Sequence, residues 1–356
     1  DDRLGASSGD LRIDRGTLRL ASSFALDPSR AVTLGAGGGT IDTQAYDTTV
    51  SQAISGPGAL LKQGSGSLTL LADNTYLGGT TISAGTLRIG NGGAAGSVTG
   101  GIANDGLLVF DRSNTLSYDG SIDGTGRVVQ AGTGTTILTG PSSYSGGTLV
   151  EAGTLSISTD GNLGRTESGL EIDGGTLRVT APFNTTRAVT LGPSGATFDI
   201  ASASDIFTGP FDGPGSLTKV GSGALVLNTT ATYVGKTHVA AGSLIIGDSS
   251  NPAAHLAGGG DVSIDPGAYF GGYGRATANV DNAGSVGVGN TLPALAGQPD
   301  ATFTIVGSLT NRGLISLANG EPSDALFVVG NYVSAGGVLT TDVVLNEGGD
   351  ATQSDR

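Results

Sequence analysis

The amino-acid sequence predicts an all-β chain wound as a solenoid. Three observations carry that expectation: a glycine-rich, helix-poor composition, short apolar alternations between turn residues, and a block of sequence used three times. Glycine supplies 64 of 356 residues, with no Cys, Met or Trp, far from ordinary globular usage. The acidic residues are 26 Asp against 5 Glu and the basic ones 14 Arg against 3 Lys, so charged helix formers are scarce. Thr and branched aliphatics between Gly, Asp and Asn suit short strands joined by tight turns. No Gly-X-Y period exists, and a hydrophobic fraction of 37% is enough for a folded chain rather than a disordered tract.

Charge removes two partner classes. A formal net charge of -14 argues against nucleic acid and anionic membranes, which both require a basic face. The same charge keeps an elongated particle soluble. No apolar run approaches the ~18 residues of a membrane-spanning helix. The absence of Cys removes disulfides without fixing the compartment, and suits a chain that stays unfolded during export.

Along the chain, the first elements are "LRIDRGTLRL" from Leu11 and "RAVTLGAGGGTID" from Arg30, which return as "LEIDGGTLRV" from Leu170 and "RAVTLGPSGATFD" from Arg187. Between and after them stand three blocks, beginning "GPGALLKQGSGSLTL" at Gly56, "GTGRVVQAGTGTTIL" at Gly124 and "GPGSLTKVGSGALVL" at Gly213. Their offsets are 68 and 89 residues, kept by Tyr76, Tyr144 and Tyr233 and by Gly85, Gly153 and Gly242. The offsets 68, 89 and 157 divide into 3, 4 and 7 units of about 22 residues, a length proper to one coil of a β-solenoid. Roughly 16 such rungs spaced at 4.8 Å give a rod on the order of 75 Å long. A rod of this kind offers surface rather than a deep pocket.

Within a block, "GSLTLL", "TTIS" and "TLRIG" alternate apolar with small or polar residues. Leu68, Leu70, Ile82, Leu87 and Ile89 are therefore expected to point inward. Gly, Asn and Asp occupy the corners, where positive φ is required, so a β-branched residue at Gly85 or Gly242 should be damaging. The segments 248–256 ("DSSNPAAHL") and 290–300 ("NTLPALAGQPD") break the rhythm and are expected as outward loops, the place for specificity on a rigid scaffold. The resulting organisation is a β-helix repeat region over 1–300, with repeat blocks at 56–90, 124–157 and 213–246, and last coils over 301–356.

The blocks resemble the passenger-associated strand repeat of autotransporters, the type V secreted proteins of Gram-negative bacteria, in their AIDA/pertactin-like form. The pattern G-x-G-x-L-x-K-x-G-x-G-x-L-x-L, then N-x-Y-x-G-G-T and A-G-T-L, is met at 56–90 and less completely at 124–157 and 213–246. Val128 and Gln130 replace the Leu and Lys, Lys236 replaces the second Gly, and the Asn before Tyr is lost in the later blocks. The resemblance implies a right-handed parallel β-helix (single-stranded, pectin-lyase-like) carried to the bacterial cell surface by its own outer-membrane barrel. It also implies that 301–356 leads toward a truncated C-terminal cap, and that the chain is a piece of a longer protein without its signal peptide, barrel and a distal head.

At each residue capable of chemistry a scaffold role competes. Only His238 and His255 offer an imidazole base; His238 takes the place of Thr81 and Leu149, a coil-face position, and His255 follows a loop insertion. "GDSS" at Gly247 is a cheap match in so Ser- and Gly-rich a chain. Asp119, Asp123, Asp173, Asp212, Asp261 and Asp265 sit in turns without the regular spacing that Ca²⁺ needs, "GGGDVSID" at 258–265 being an isolated echo. Asp111, Arg112 and Asp119 in "LLVFDRSNTLSYDGS" are the best candidates for polysaccharide cleavage, with a solvated edge the favoured reading. The three tyrosines are expected to pack over the adjoining coil, covering Gly78, Gly146 or Gly235.

The expectation is therefore a non-catalytic adhesin or display stalk, with no catalytic, metal or cofactor residues assigned. Its partners are host-cell surface or matrix molecules, or a second passenger by self-association, and not nucleic acid. Two other readings stand beside it: a polysaccharide lyase or hydrolase, and a capture module for a soluble host protein. Loss of polymer viscosity discriminates the first, a pull-down with serum or matrix proteins the second.

Overall fold

The computed structural model describes residues 4–6, 9–201, 204–258, 260–319, 323–345 and 351–354. The chain divides into two compact units, residues 1–171 and 172–356. Each is a solenoid of short parallel strands, and among the described residues the one antiparallel pair joins Val343–Leu345 to Ala351–Ser354. Among the described residues no helix is long and apolar enough to cross a membrane.

In the first unit one row of strands runs Gly16–Arg19, Gly39–Asp42, Leu60–Gln63, Thr80–Ile82, Ile102–Asn104, Ile122–Asp123. The neighbouring row runs Phe24–Ala25, Thr48–Val50, Ser67–Leu70, Thr86–Gly93, Leu107–Arg112, Arg127–Gln130, Thr148–Val150. Alternation decides which side chains face in. Leu68, Leu70, Ile82, Leu87 and Ile89 are fully buried as expected, and the register aligns Leu68 with Leu87 and Leu87 with Leu108. Each aliphatic stacks on its counterpart one turn away, so the core is continuous although no single turn encloses one.

The rung length differs from the even 22 residues of the sequence reading. Leu60 pairs with Thr80, Thr80 with Ile102 and Ile102 with Ile122, so three turns consume 62 residues. The repeat offset of 68 exceeds this by six, which carries the chain onto the next face. Accordingly the first strand of block one, Leu60–Gln63, lies in one row, and the matching strand of block two, Arg127–Gln130, lies in the neighbouring row. Block and coil are out of phase because only local strand and turn geometry is copied, and each block starts wherever the previous turn ends.

The second unit has three rows. One holds Ala196–Ile200, Leu217–Val220, Thr237–Val239, Val262–Ile264 and Val280–Asn282. Another holds Ser204–Phe207, Ala224–Leu227, Ser243–Ile246, Tyr269–Gly272 and Ser285–Val288. The third holds Thr230–Ala231, His255–Leu256, Arg275–Ala276, Thr302–Ile305 and Ala325–Val328. Its core contains an aromatic cluster in which Phe198, Phe207 and Phe211 meet at centroid distances of 5.4 to 5.9 Å and Phe211 meets Tyr233 at 6.1 Å, favourable tilted and edge contacts. Rungs here are uneven: Tyr269 pairs with Ser285 but Ser285 with Leu314, the longer turn containing the 290–300 insertion.

The tyrosines behave differently from the expectation. Tyr76, Tyr144 and Tyr233 are buried inside the coil, and each hydroxyl meets the Thr four residues on, Thr80, Thr148 and Thr237, at 2.6 Å. The Thr hydroxyl satisfies an inward phenol that has no water to bond. Gly78 and Gly235 serve another purpose: a Cβ there would lie 2.3 Å from Ala59 N and 2.4 Å from Gly215, so backbone, not an aromatic ring, occupies the space.

Candidate ligand-binding site

Aspartates at the coil corners bond one turn to the next. The backbone N–H of Ser67 donates to Asp47 Oδ1 at 2.8 Å, that of Thr125 to Asp105 Oδ1 at 2.9 Å and that of Ser194 to Asp173 Oδ1 at 2.7 Å. The short aspartate side chain suits such local bonds to backbone amides. The other candidate carboxylates are similarly engaged. Asp123 accepts from Ser143, Asp212 from Thr190, and Asp261 from Asn279; Asp119 is exposed. Among the described residues no group of three His, Asp or Glu could hold a metal ion, and Gly259 of the 258–265 motif lies outside them.

Inward charges follow the same logic. Lys62 is fully buried, and its Nζ donates to the carbonyls of Gln63 at 2.9 Å, Gly64 at 2.8 Å and Ala84 at 3.1 Å. Lys219 repeats this with Val220, Gly221 and Ala241 at 2.7, 3.0 and 3.1 Å. Burial lowers each ammonium to about 8, against the raising effect of nearby aspartates. Gln130 holds the place in block two and reaches Gly132 O at 2.7 Å. The alternation Leu60 in, Leu61 out, Lys62 in was readable from the sequence, and it was the available signal for this cage. Arg30 is likewise buried, with Nη1 on Gly9 O at 2.6 Å.

The catalytic candidates are not gathered. Asp111 pairs with Arg88, and Arg112 turns away to the carbonyls of Gly96 and Ala94 and to Asn114. His238 Nε2 bonds Asp265 Oδ2 at 2.9 Å, and Ser263, beside it in register, is not hydrogen-bonded to it. In "GDSS", Asp248 accepts from Ser250 N at 2.9 Å, Asn251 Nδ2 at 3.0 Å and Asn228 Nδ2 at 2.6 Å. Burial opposes the charge of Asp248, and the bonds from Asn228 and Asn251 prevail, leaving its carboxyl below the ordinary value. The motif shapes a loop.

The two insertions do come together. Ser249 N donates to Gln298 Oε1 at 3.1 Å, Asn290 Nδ2 donates to Gln298 O at 3.1 Å, and the Tyr273 hydroxyl donates to Pro299 O. The second insertion is less outward than expected: it makes 3-10 turns at Gly289–Thr291 and Pro293–Leu295, with Leu292 and Leu295 buried. Its apolar side chains have nowhere else to leave water.

Beside these loops lies an open depression of about 480 Å³ lined by Pro252, Ala253, Tyr273, Gly274, Arg275, Thr302 and Thr304. His255, Arg275 and Thr304 are aligned in successive turns. Arg275 Nη2 donates to His255 Nδ1 at 3.2 Å. The imidazole proton is thereby assigned to Nε2, which faces Thr277 Oγ1 at 2.7 Å. Burial, and then the Arg275 charge, hold His255 below its ordinary value, so the imidazole is a neutral strut for the guanidinium. Arg19, Arg88, Arg127 and Arg312 each carry an acidic partner. Among the described residues no carboxylate lies within ion-pair distance of exposed Arg275. Sequence reasoning found both loops and His255 but missed Arg275, whose separation from acids is a property of the fold.

Comparison with known proteins agrees with the architecture. A family model described as the passenger-associated-transport-repeat matches residues 60–89, 128–157 and 217–246. The chain is 40% identical over 176 residues, 49% of its length, to "Adhesin BmaC autotransporter" of Brucella suis biovar 1 (strain 1330). It is 27% identical over 140 residues, 39% of its length, to "Uncharacterized protein YuaQ" of Escherichia coli (strain K12). These matches span 5% and 8% of the two relatives. No solved structure matches the chain.

Proposed function

We propose that this chain, whose three repeats are those of an autotransporter passenger domain, acts at the bacterial cell surface as a non-catalytic adhesin segment. Attachment is to host cells or neighbouring bacteria, through side chains that the solenoid holds outward. The observation that carries the reading is the contrast between the repeats and the insertions. In the repeats, hydroxyls such as Ser143 and Thr125 bond carboxylates of the adjacent turn. At 248–256 and 290–300 the rhythm breaks, two loops meet, and a cation remains available to solvent. The similar adhesin autotransporter of Brucella suis supports the same direction, and display outside the outer membrane accords with an acidic, cysteine-free chain.

Beads coated with the complete chain should adhere to cultured epithelial cells or to the producing bacterium above albumin-coated beads. Adherence at the albumin level on both surfaces overturns the reading. Loss of viscosity in a pectate or hyaluronan solution would replace it with a hydrolytic one.

A further inference from the structure

We propose that the depression beside Arg275 is a subsite for the carboxylate of an acidic sugar residue, the point at which the segment engages a surface glycan. The inference rests on the adhesive reading above and gives it a ligand class.

Arg275 is the formal cation among the lining residues, and the guanidinium presents a planar fork that matches a carboxylate with two parallel hydrogen bonds. His255 consumes one of its N–H groups and fixes its direction, so the fork is oriented before a ligand arrives. A single positive charge, with a neutral imidazole behind it and a chain of net charge -14 around it, matches a singly charged group. A phosphate would bring a second negative charge that nothing here neutralises. The remaining lining fits the rest of a sugar: Thr302 and Thr304 alternate with buried Phe303 and Ile305 along one strand, and so turn their hydroxyls outward to meet ring hydroxyls. Pro252 and Ala253 supply apolar lining, and Tyr273 also lines the depression, tied by its hydroxyl to Pro299. The volume of about 480 Å³ falls within the range of small-molecule sites.

The test uses the complete chain in titration calorimetry against four probes: an oligosaccharide alternating glucuronic acid and N-acetylglucosamine, its carboxyl-reduced neutral counterpart, a sulfated oligosaccharide without carboxylates, and oligoglutamate. The carboxylated oligosaccharide should bind at least about tenfold more tightly than the other three. Arg275→Gln should weaken it by a similar factor, and Arg275→Lys should recover part of the loss. Because Arg275 is exposed, the variants should keep the parent melting temperature, which circular dichroism checks. Equal binding of the carboxyl-reduced probe, preference for sulfate or oligoglutamate, no binding at all, or an unaffected Arg275→Gln variant overturns the proposal. If none of the probes binds while coated beads still adhere, the subsite falls and the adhesive function stands; if the beads fail, the adhesive function falls whatever the sugars do.

Discussion

The ammonium of Lys62 donates to the carbonyl of Ala84, 22 residues further along the chain, at 3.1 Å. The bond joins the G-S-G turn of one rung to the A-G turn of the next, and Lys219 and Ala241 reproduce it. It lies in the core of a protein whose other charges mostly face water, and several outcomes depend on it.

Replacing Lys62 by Met should destabilise the fold by about 3 kcal/mol, because three buried carbonyls lose their donor. Lys62→Gln should cost only about 1 kcal/mol, since the amide of Gln130 already serves the corresponding turn. Urea titrations of the two variants check the order.

Alkaline pH should strengthen the fold. Lys62 and Lys219 are depressed from 10.5 to about 8, so between these values the unfolded chain binds more protons than the folded one. Stability contributed by the lysines is fully present above 10.5 and is lost as pH falls to about 8. Melting temperature should therefore rise from pH 8 toward 10, above which the buried phenols of Tyr76 and Tyr233, held above their ordinary 10 by burial, act in the opposite sense; a Lys62→Gln, Lys219→Gln double variant should lose the lysine contribution to the slope.

Acid should act in the opposite sense on the aspartate rungs. Bonds from the Thr125 backbone and hydroxyl hold Asp105 below its ordinary 3.8. Its contribution is present above 3.8 and disappears as pH falls through the lowered value. Asp105→Asn should flatten the acid limb of a pH melt, and an unchanged limb would contradict the assignment.

Gly242→Val should cost about 3 kcal/mol or prevent folding, combining left-handed strain with a clash. The backbone has φ +64° and a Cβ would lie 2.3 Å from Gly223 O and 2.9 Å from Lys219 Nζ. Gly267→Ala, at φ +86° with nothing within 4 Å, isolates the strain and should cost about 1 kcal/mol.

Tyr233→Phe and Thr237→Val should each destabilise by about 1 kcal/mol, and the double variant by less than the sum, because one hydrogen bond is removed twice. Gln298→Ala should speed amide exchange at Ser249 by releasing the loop bond, leaving the melting temperature of the coil unchanged.

Much of this architecture was legible in the sequence because a solenoid depends on local rules. The alternation around Leu68 and Leu70 and the positive φ of Gly85 follow from neighbours a few residues away. What escaped depends on stacking. The tyrosine could be located but not aimed, since its partner Thr80 matters only when the ring turns inward. The rung length was misjudged because 22 divides the repeat offsets well, whereas register fixes shorter turns plus a fractional advance. Arg275 resembled any other arginine until the fold separated it from carboxylates, and His255 gained its role only when the next turn supplied Arg275 and Thr277.

The six residues by which the repeat offset overshoots three full turns also bear on how such a chain diversifies. Copying one 68-residue element adds three turns and sets the copied strand in the neighbouring row, as Leu60–Gln63 and Arg127–Gln130 show. Gene duplication alone can thus present the same outward side chain on a different face while the copied strand takes new partners.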